Sequence, residues 1–286
     1  MRGRMYTTLI ETNELAAALA EPHCAIIDCR FDLAQPDWGA RVYAAGHIPH
    51  ARYAHLDRDL AGAVRADSGR HPLPRPAEWA ARLGAWGIDS STQVVAYDQG
   101  NGAYAARLWW LMRWVGHTHA AVLNGGYAAW LAAGLPISTV IHARTPAHFT
   151  PRAARAGALT TSEVERALEE RQILLVDARP GDRFAGDNET IDPVAGHVPG
   201  ARSLPFAGNL DPQGHFLPAA ALRQRWREVL GTHPASDLVS MCGSGVTACH
   251  NLLALEIAGL SGARLYPGSW SEWIRDPAHP IATGVI

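Results

Sequence analysis

Ala195-Gly196-His197-Val198-Pro199-Gly200-Ala201-Arg202 repeats, with small changes, Ala45-Gly46-His47-Ile48-Pro49-His50-Ala51-Arg52. Each octapeptide follows an apolar run that ends in an aspartate and an arginine: Leu175-Val176-Asp177-Ala178-Arg179 in one case, Ile26-Ile27-Asp28-Cys29-Arg30 in the other. Further out, Val94-Val95-Ala96-Tyr97-Asp98 matches Leu238-Val239-Ser240-Met241-Cys242, and Gly125-Gly126-Tyr127-Ala128-Ala129-Trp130 matches Gly268-Ser269-Trp270-Ser271-Glu272-Trp273. Four matched stretches in one order, offset by about 140 to 150 residues, mark a duplicated domain.

Within each half, short apolar runs alternate with helical patterns. Runs without polar alternation are strands buried on both faces, so the pattern predicts an α/β fold of two tandem domains, each a mainly parallel sheet flanked by helices on both faces. Thr160 with Glu163 forms a capping box that opens a helix burying Val164 and Leu168 ahead of the strand from Ile173. Leu15 to Leu19 and then Ala25 to Asp28 are the first-half counterpart. A buried helix carrying Leu252, Leu253, Leu255 and Ile257 stops at Gly259. Residues 142–157, with Pro146 and Pro151 and no period, read as a linker between a domain at 1–141 and a domain at 158–286.

At 286 residues, two domains are the natural expectation, and 48% hydrophobic content suffices for two cores. A net charge of −2 argues against nucleic acid or a membrane surface as partner, leaving small metabolites or a protein thiol. Four cysteines at no repeated spacing, Cys24, Cys29, Cys242 and Cys249, read as reduced thiols of a cytoplasmic protein. The start, Met1-Arg2-Gly3-Arg4, has no apolar stretch behind it, and no run of apolar residues is long enough to span a bilayer. No cysteine–histidine spacing suits zinc, and no Gly-Lys-Ser/Thr follows the glycines after Cys242, so neither a metal nor a nucleotide cofactor is expected.

Cys242 stands where a buried strand ends and a helix begins, followed by Gly243-Ser244-Gly245-Val246-Thr247-Ala248. Two glycines let the backbone turn tightly there, and amides gathered in such a nest, with the positive end of a helix, favour a thiolate nucleophile. The first half carries Asp98 at this position, and a carboxylate cannot act as a soft sulfur nucleophile. Only the second half is therefore expected to be catalytic.

Taken together, the duplicated halves, the Gly-His-Ile/Val-Pro turns and the Cys242 loop resemble the tandem-domain rhodanese-family sulfurtransferases over nearly the whole chain. The loop Cys-Gly-Ser-Gly-Val-Thr-Ala is similar to that of the 3-mercaptopyruvate branch, whereas thiosulfate sulfurtransferases tend to carry basic residues inside it. The resemblance implies that Cys242 takes sulfur from 3-mercaptopyruvate as a persulfide, releases pyruvate, and hands the sulfur to thioredoxin, a low-molecular-weight thiol or cyanide. Thiosulfate as donor, by the same persulfide route, is the alternative. It also implies a proton relay of Ser244, His71 and Asp57, a donor-binding Arg183, and a loop of Gly243, Gly245, Val246 and Thr247 around the donor. Where that branch places a second arginine, this chain has Asp187-Asn188-Glu189-Thr190-Ile191-Asp192-Pro193.

Other residues have plainer readings. Cys249, Cys24 and Cys29 are packed thiols, and His47 and His197 fix turns. Arg179, matched by Arg30 in the silent half, is a structural ion pair, and the ten tryptophans are core and interface. A cysteine phosphatase would need an arginine where Ala248 stands. A non-catalytic binding module would not need Cys242.

Overall fold

The computed structural model describes residues 4–19, 21, 23–154 and 157–284. Met1–Gly3 of the chain start and residues 155 and 156 of the linker reading lie outside them. The chain forms two compact units, one comprising Met1–Gly62, Pro74–Arg155 and Pro212–Phe216, the other Ala63–Leu73, Ala156–Asp211 and Leu217–Ile286.

The first unit holds a five-stranded sheet of β1 (Leu9–Ile10), β2 (Cys24–Asp28), β3 (Arg52–Tyr53), β4 (Gln93–Tyr97) and β5 (Ala120–Leu123), in the order β1-β5-β4-β2-β3. Every pairing is parallel. The second unit repeats this with β6 (Gly157–Ala158), β7 (Leu174–Asp177), β8 (Arg202–Ser203), β9 (Leu238–Met241) and β10 (Arg264–Leu265), ordered β6-β10-β9-β7-β8 and again all parallel. The predicted duplicated α/β architecture is thus present down to strand order. Gly157, placed in the linker by its composition, already pairs in β6 with Arg264.

The core of the second unit gathers Val164, Leu175, Phe184, Val198, Val239, Met241, Tyr266, Trp270 and Trp273. That of the first gathers Leu15, Ile26, Tyr43, Ile48, Val95, Tyr97, Tyr127 and Trp130. The central strands β4 and β9 are buried at every position, so they read as mainly apolar runs without polar alternation. The helices that follow them, Ala105–Trp114 and Ala248–Ile257, each bury their first eight residues.

Thr160 caps the helix Thr161–Glu169 through the predicted box with Glu163. Arg30 binds Asp28 and Arg179 binds Asp177, each at 2.7 Å with both side chains buried, and each arginine also donates to a glycine carbonyl, Gly46 or Gly196. The matched arginines therefore lock the strand end to the Gly-His turn. His47 Nδ1 meets the Tyr43 carbonyl at 2.8 Å and His197 Nδ1 that of Phe184 at 2.9 Å, which ties each turn to the preceding helix.

Candidate active site

Cys242 directly follows β9 at 2% exposure, and its amide donates to Ser269 Oγ at 3.0 Å. Ser269 adopts φ 56°, a left-handed conformation that costs a side-chain-bearing residue about 1–2 kcal/mol. The corresponding residue of the first half is Gly126, at φ 58°. The second half thus keeps a strained serine where glycine would fit freely, and the hydroxyl so retained holds the amide of Cys242. Gly245 turns the loop at φ 72°, where a Cβ would lie 2.5 Å from the Pro267 carbonyl oxygen. That contact confines the position to glycine.

In the buried loop beyond Cys242, the amides of Gly243, Ser244, Val246 and Thr247 donate to no acceptor among the described residues. The first unit shows how the matching loop is satisfied. There the Asp98 carboxylate, 1% exposed, accepts from the amides of Gly100, Gly102, Tyr104 and Ala105 at 2.9–3.2 Å. Burial pushes this carboxyl up from its ordinary range, against the pull of the amides toward the ionised form. One half of the duplication fills its cradle with a carboxyl group of its own. The other has Cys242 at the matching position.

Ser244 Oγ lies 2.7 Å from His71 Nδ1, both side chains buried. Residues 63–73 pack as part of the second unit, which accounts for this contact across 173 positions of sequence. The segment is held by its backbone: Gly69 N donates to Glu272 Oε2 and Arg70 N to Ser271 Oγ, both at 3.1 Å. Glu272 is fixed in turn by Thr161 Oγ1 at 2.5 Å. Asp57 lies exposed in the first unit on the short helix Leu56–Asp59, where its amide donates to His55 Nδ1. Its neighbour Asp59 is occupied with Arg82 at 2.6 Å and the His55 amide at 2.8 Å.

Arg183, on the helix Gly181–Ala185, is 13% exposed and directs Nε and Nη2 onto Glu189 at 2.8–3.2 Å and Nη2 onto Asp192 at 3.1 Å. Arg183 and the amides of Ile191 and Asp192 hold the Glu189 carboxyl below its usual value against the upward push of burial. Asp192 binds a second guanidinium, that of Arg70. A Cβ on Gly243 would stand 2.9 Å from Arg70 Nη2 and 3.7 and 3.8 Å from Arg183 Nη2 and Nη1. Of the residues expected at the site, the second unit therefore brings Cys242, its loop, Ser244, His71 and Arg183 together.

Arg70, Glu189 and Asp192 carried no site signal in the sequence. The clue for Arg70 was its adjacency to His71, and for the two acids their place in the stretch that lacks an arginine. The other cysteines are packed: Cys249 Sγ reaches the Gly245 carbonyl at 3.3 Å, and burial raises the Cys24 thiol to about 11.

A cysteine at a strand-to-helix turn, followed by a loop whose amides have no acceptor among the described residues and beside which two guanidiniums stand, in one half of a duplicated parallel α/β scaffold, is the arrangement of a candidate thiol enzyme. The sequence profile of the Rhodanese-like domain matches residues 11–133 and 160–276, and the chain belongs to that family. It is 49% identical over 278 residues to a probable 3-mercaptopyruvate sulfurtransferase of Pseudomonas aeruginosa, covering 96% of this chain and 98% of that one. It is 36% identical to a putative thiosulfate sulfurtransferase of Mycobacterium tuberculosis, covering 96% and 97%. Among solved structures, the 3-mercaptopyruvate sulfurtransferase from Leishmania major superposes with a TM-score of 0.83 at 33% identity, covering 93% of this chain and 74% of that one.

Proposed function

We propose that this sulfurtransferase takes its sulfur from 3-mercaptopyruvate and carries it as a persulfide on Cys242. The thiolate attacks the donor's sulfur, the carbon–sulfur bond breaks, and its electron pair leaves on carbon as the enolate of pyruvate. The thiol proton of the donor balances the step when it reaches that carbon. A thiol acceptor, thioredoxin or a small thiol, or cyanide then attacks the outer sulfur and releases Cys242 as thiolate. The catalytic residues in this reading are Cys242, Ser244, His71 and Asp57. Arg183 holds the donor carboxylate, and Gly243, Gly245, Val246 and Thr247 surround the sulfur.

The single observation that carries the choice of donor is the 2.7 Å pair that His71 makes with Ser244 in the loop that follows Cys242. An enolate needs a proton to become pyruvate, whereas thiosulfate would release sulfite, which needs none. A hydroxyl backed by imidazole is suited to deliver that proton. The charge of the site supports the same choice. Arg70 and Arg183 are matched by Glu189 and Asp192, so a monoanion is favoured over a dianion, which would meet two buried carboxylates without surplus positive charge.

This reading assigns catalysis to residues 158–286, with 1–141 as the silent partner joined by 142–157. It also places the reaction in the cytoplasm, supported by four free thiols. No helix among the described residues is long and apolar enough to cross a membrane.

The test is mass spectrometry of the protein after incubation with each donor, alongside steady-state kinetics. One added sulfur on the Cys242 peptide, absent in Cys242→Ser, and a kcat/KM favouring 3-mercaptopyruvate are expected. Turnover in Cys242→Ser near that of the unaltered protein would eliminate the persulfide, and a preference for thiosulfate would reverse the donor.

A further inference from the structure

The short helices Gly126–Ala132 and Ser269–Trp273 occupy matching places in the two halves. Their backbone bonds are shared: Trp270 N donates to the Cys242 carbonyl at 3.0 Å and Ser271 N to that of Gly243 at 2.9 Å, as Tyr127 N and Ala128 N do to Asp98 and Gln99 at 2.8 and 3.0 Å. The side chains are not shared. Ser269, Ser271 and Glu272 stand where the first half has Gly126, Ala128 and Ala129, so the hydrogen-bonding side chains occur in the half that carries the cysteine. We infer that Glu272 is a positioning residue of the sulfur transfer, holding His71 against Ser244 through the segment that carries the imidazole. The inference rests on the proposed reading that Ser244 and His71 deliver the proton to the departing enolate.

The Glu272 carboxylate is fixed at both oxygens. Thr161 Oγ1, at the first position of the helix Thr161–Glu169, donates to Oε1 at 2.5 Å and lies 2.8 Å from the Tyr266 hydroxyl. With its own proton on the carboxylate, Thr161 accepts from Tyr266, whose side chain is fully buried. The other oxygen, Oε2, accepts from Gly69 N at 3.1 Å, and Ser271 Oγ takes the next amide, Arg70 N, also at 3.1 Å. The two amides that precede His71 therefore both end on the side chains that the first half lacks. Two glycines make room for this contact. A Cβ on Gly268 would strike the Glu272 carboxylate, and one on Gly69 would lie 2.6 Å from the Gly268 carbonyl oxygen and 2.8 Å from Ser271 Oγ.

Residues 63–73 form no helix or strand, so no regular ladder sets their path. Individual hydrogen bonds set it instead, and an imidazole two residues beyond Gly69 moves with that amide. The contact it must keep is the 2.7 Å approach to Ser244 Oγ. A displacement of about 1 Å takes such a pair out of hydrogen-bond range and costs on the order of 100-fold in a step that depends on it. Bonds to a carboxylate are stronger than neutral ones, so Glu272 is suited to hold the segment in one place. Alanine, the first-half residue, offers no acceptor.

The experiment is a double-mutant cycle in the full-length protein: Glu272→Ala, His71→Ala and the two combined, with kcat and KM measured on 3-mercaptopyruvate. Glu272→Ala should lower kcat about 10- to 100-fold with KM changed less than about 3-fold, and His71→Ala should lower kcat about 100-fold. The combination should stay within about 3-fold of His71→Ala, because without the imidazole nothing remains to be positioned. Glu272→Gln should stay within about 3-fold of the unaltered protein, since its carboxamide oxygen still accepts from Gly69 while its NH2 donates to Thr161 Oγ1. Glu272→Asp, too short to span Gly69 and Thr161 together, takes the place of Glu272→Ala in the cycle if that variant does not fold.

Losses that multiply in the combined variant would overturn the assignment, by showing that Glu272 supports the fold without acting through His71. If His71→Ala left turnover of 3-mercaptopyruvate unchanged, the proton relay would fall and this inference with it. A slow His71→Ala beside a Glu272→Ala of undiminished kcat would remove Glu272 alone.

Discussion

Asp98→Ala tests whether the strand-to-helix loop of this fold is built to hold an anion, and does so in the half that has no cysteine at this position. The substitution removes a carboxylate that is 1% exposed and leaves four amides, now bonded at 2.9–3.2 Å, without their acceptor. A hydrogen bond to a charged group contributes about 1.5–3 kcal/mol, but the four share one carboxylate and water can enter the space it leaves. The net loss should be close to that for removing one partner of a buried charged pair, about 3–5 kcal/mol. At about 3 °C per kcal/mol, the first unit should melt roughly 10–15 °C lower.

Calorimetry is the assay, because it resolves separate transitions if the two units unfold apart. The decisive arm is an anion titration. Chloride or phosphate entering the emptied cradle should raise the melting temperature of Asp98→Ala, with a gain of about 2.7 kcal/mol at a hundredfold excess over the dissociation constant. The transition of the first unit in the unaltered protein, where the cradle is filled by its own side chain, should show no such specific response. A variant whose first unit melts within about 2 °C of the parent's, or anions that stabilise the first unit of both proteins equally, would refute the reasoning. The same amides around Cys242 would then need another explanation.

Two further substitutions test the second half. Ser244→Ala breaks the 2.7 Å contact with His71 and should lower kcat for 3-mercaptopyruvate about 100-fold while sparing thiosulfate; equal losses with both donors would remove Ser244 from the proton path. Ser269→Ala keeps the left-handed strain of φ 56° and loses the bond to the Cys242 amide, so it should destabilise by about 1–3 kcal/mol, whereas Ser269→Gly should recover about 1 kcal/mol of that. Equal stability of the two variants in denaturant titrations would show that the strain is absent.

The duplication, the parallel sheets, the Thr160 capping box and the cysteine loop were all legible in the sequence, because each is written in short contiguous runs. Buried strands are apolar stretches of a few residues, a cap is a pair spaced by three, and a tight turn is a glycine where another residue would collide. The repeat added a control: Arg179 and His197 were recognisable as structural because Arg30 and His47 stand at the same places in a half without the cysteine. By the same comparison Asp98 marked the silent half, but not that its carboxylate fills the cradle, since the fate of backbone amides is not encoded at any one position.

Tertiary structure alone decided which charges meet around the thiol. Arg70 reaches Asp192 across 122 positions and His71 reaches Ser244 across 173, through a segment without helix or strand periodicity. No local pattern announces such contacts. They depend on where an irregular loop closes, which is settled by the backbone bonds of Gly69 and Arg70 to Glu272 and Ser271. Along the chain, Glu189 and Asp192 only mark the stretch where a second arginine is missing. In space they are the fixed points that hold Arg183 and Arg70, because a carboxylate sheltered from solvent binds a guanidinium in one orientation and leaves its far edge for another anion.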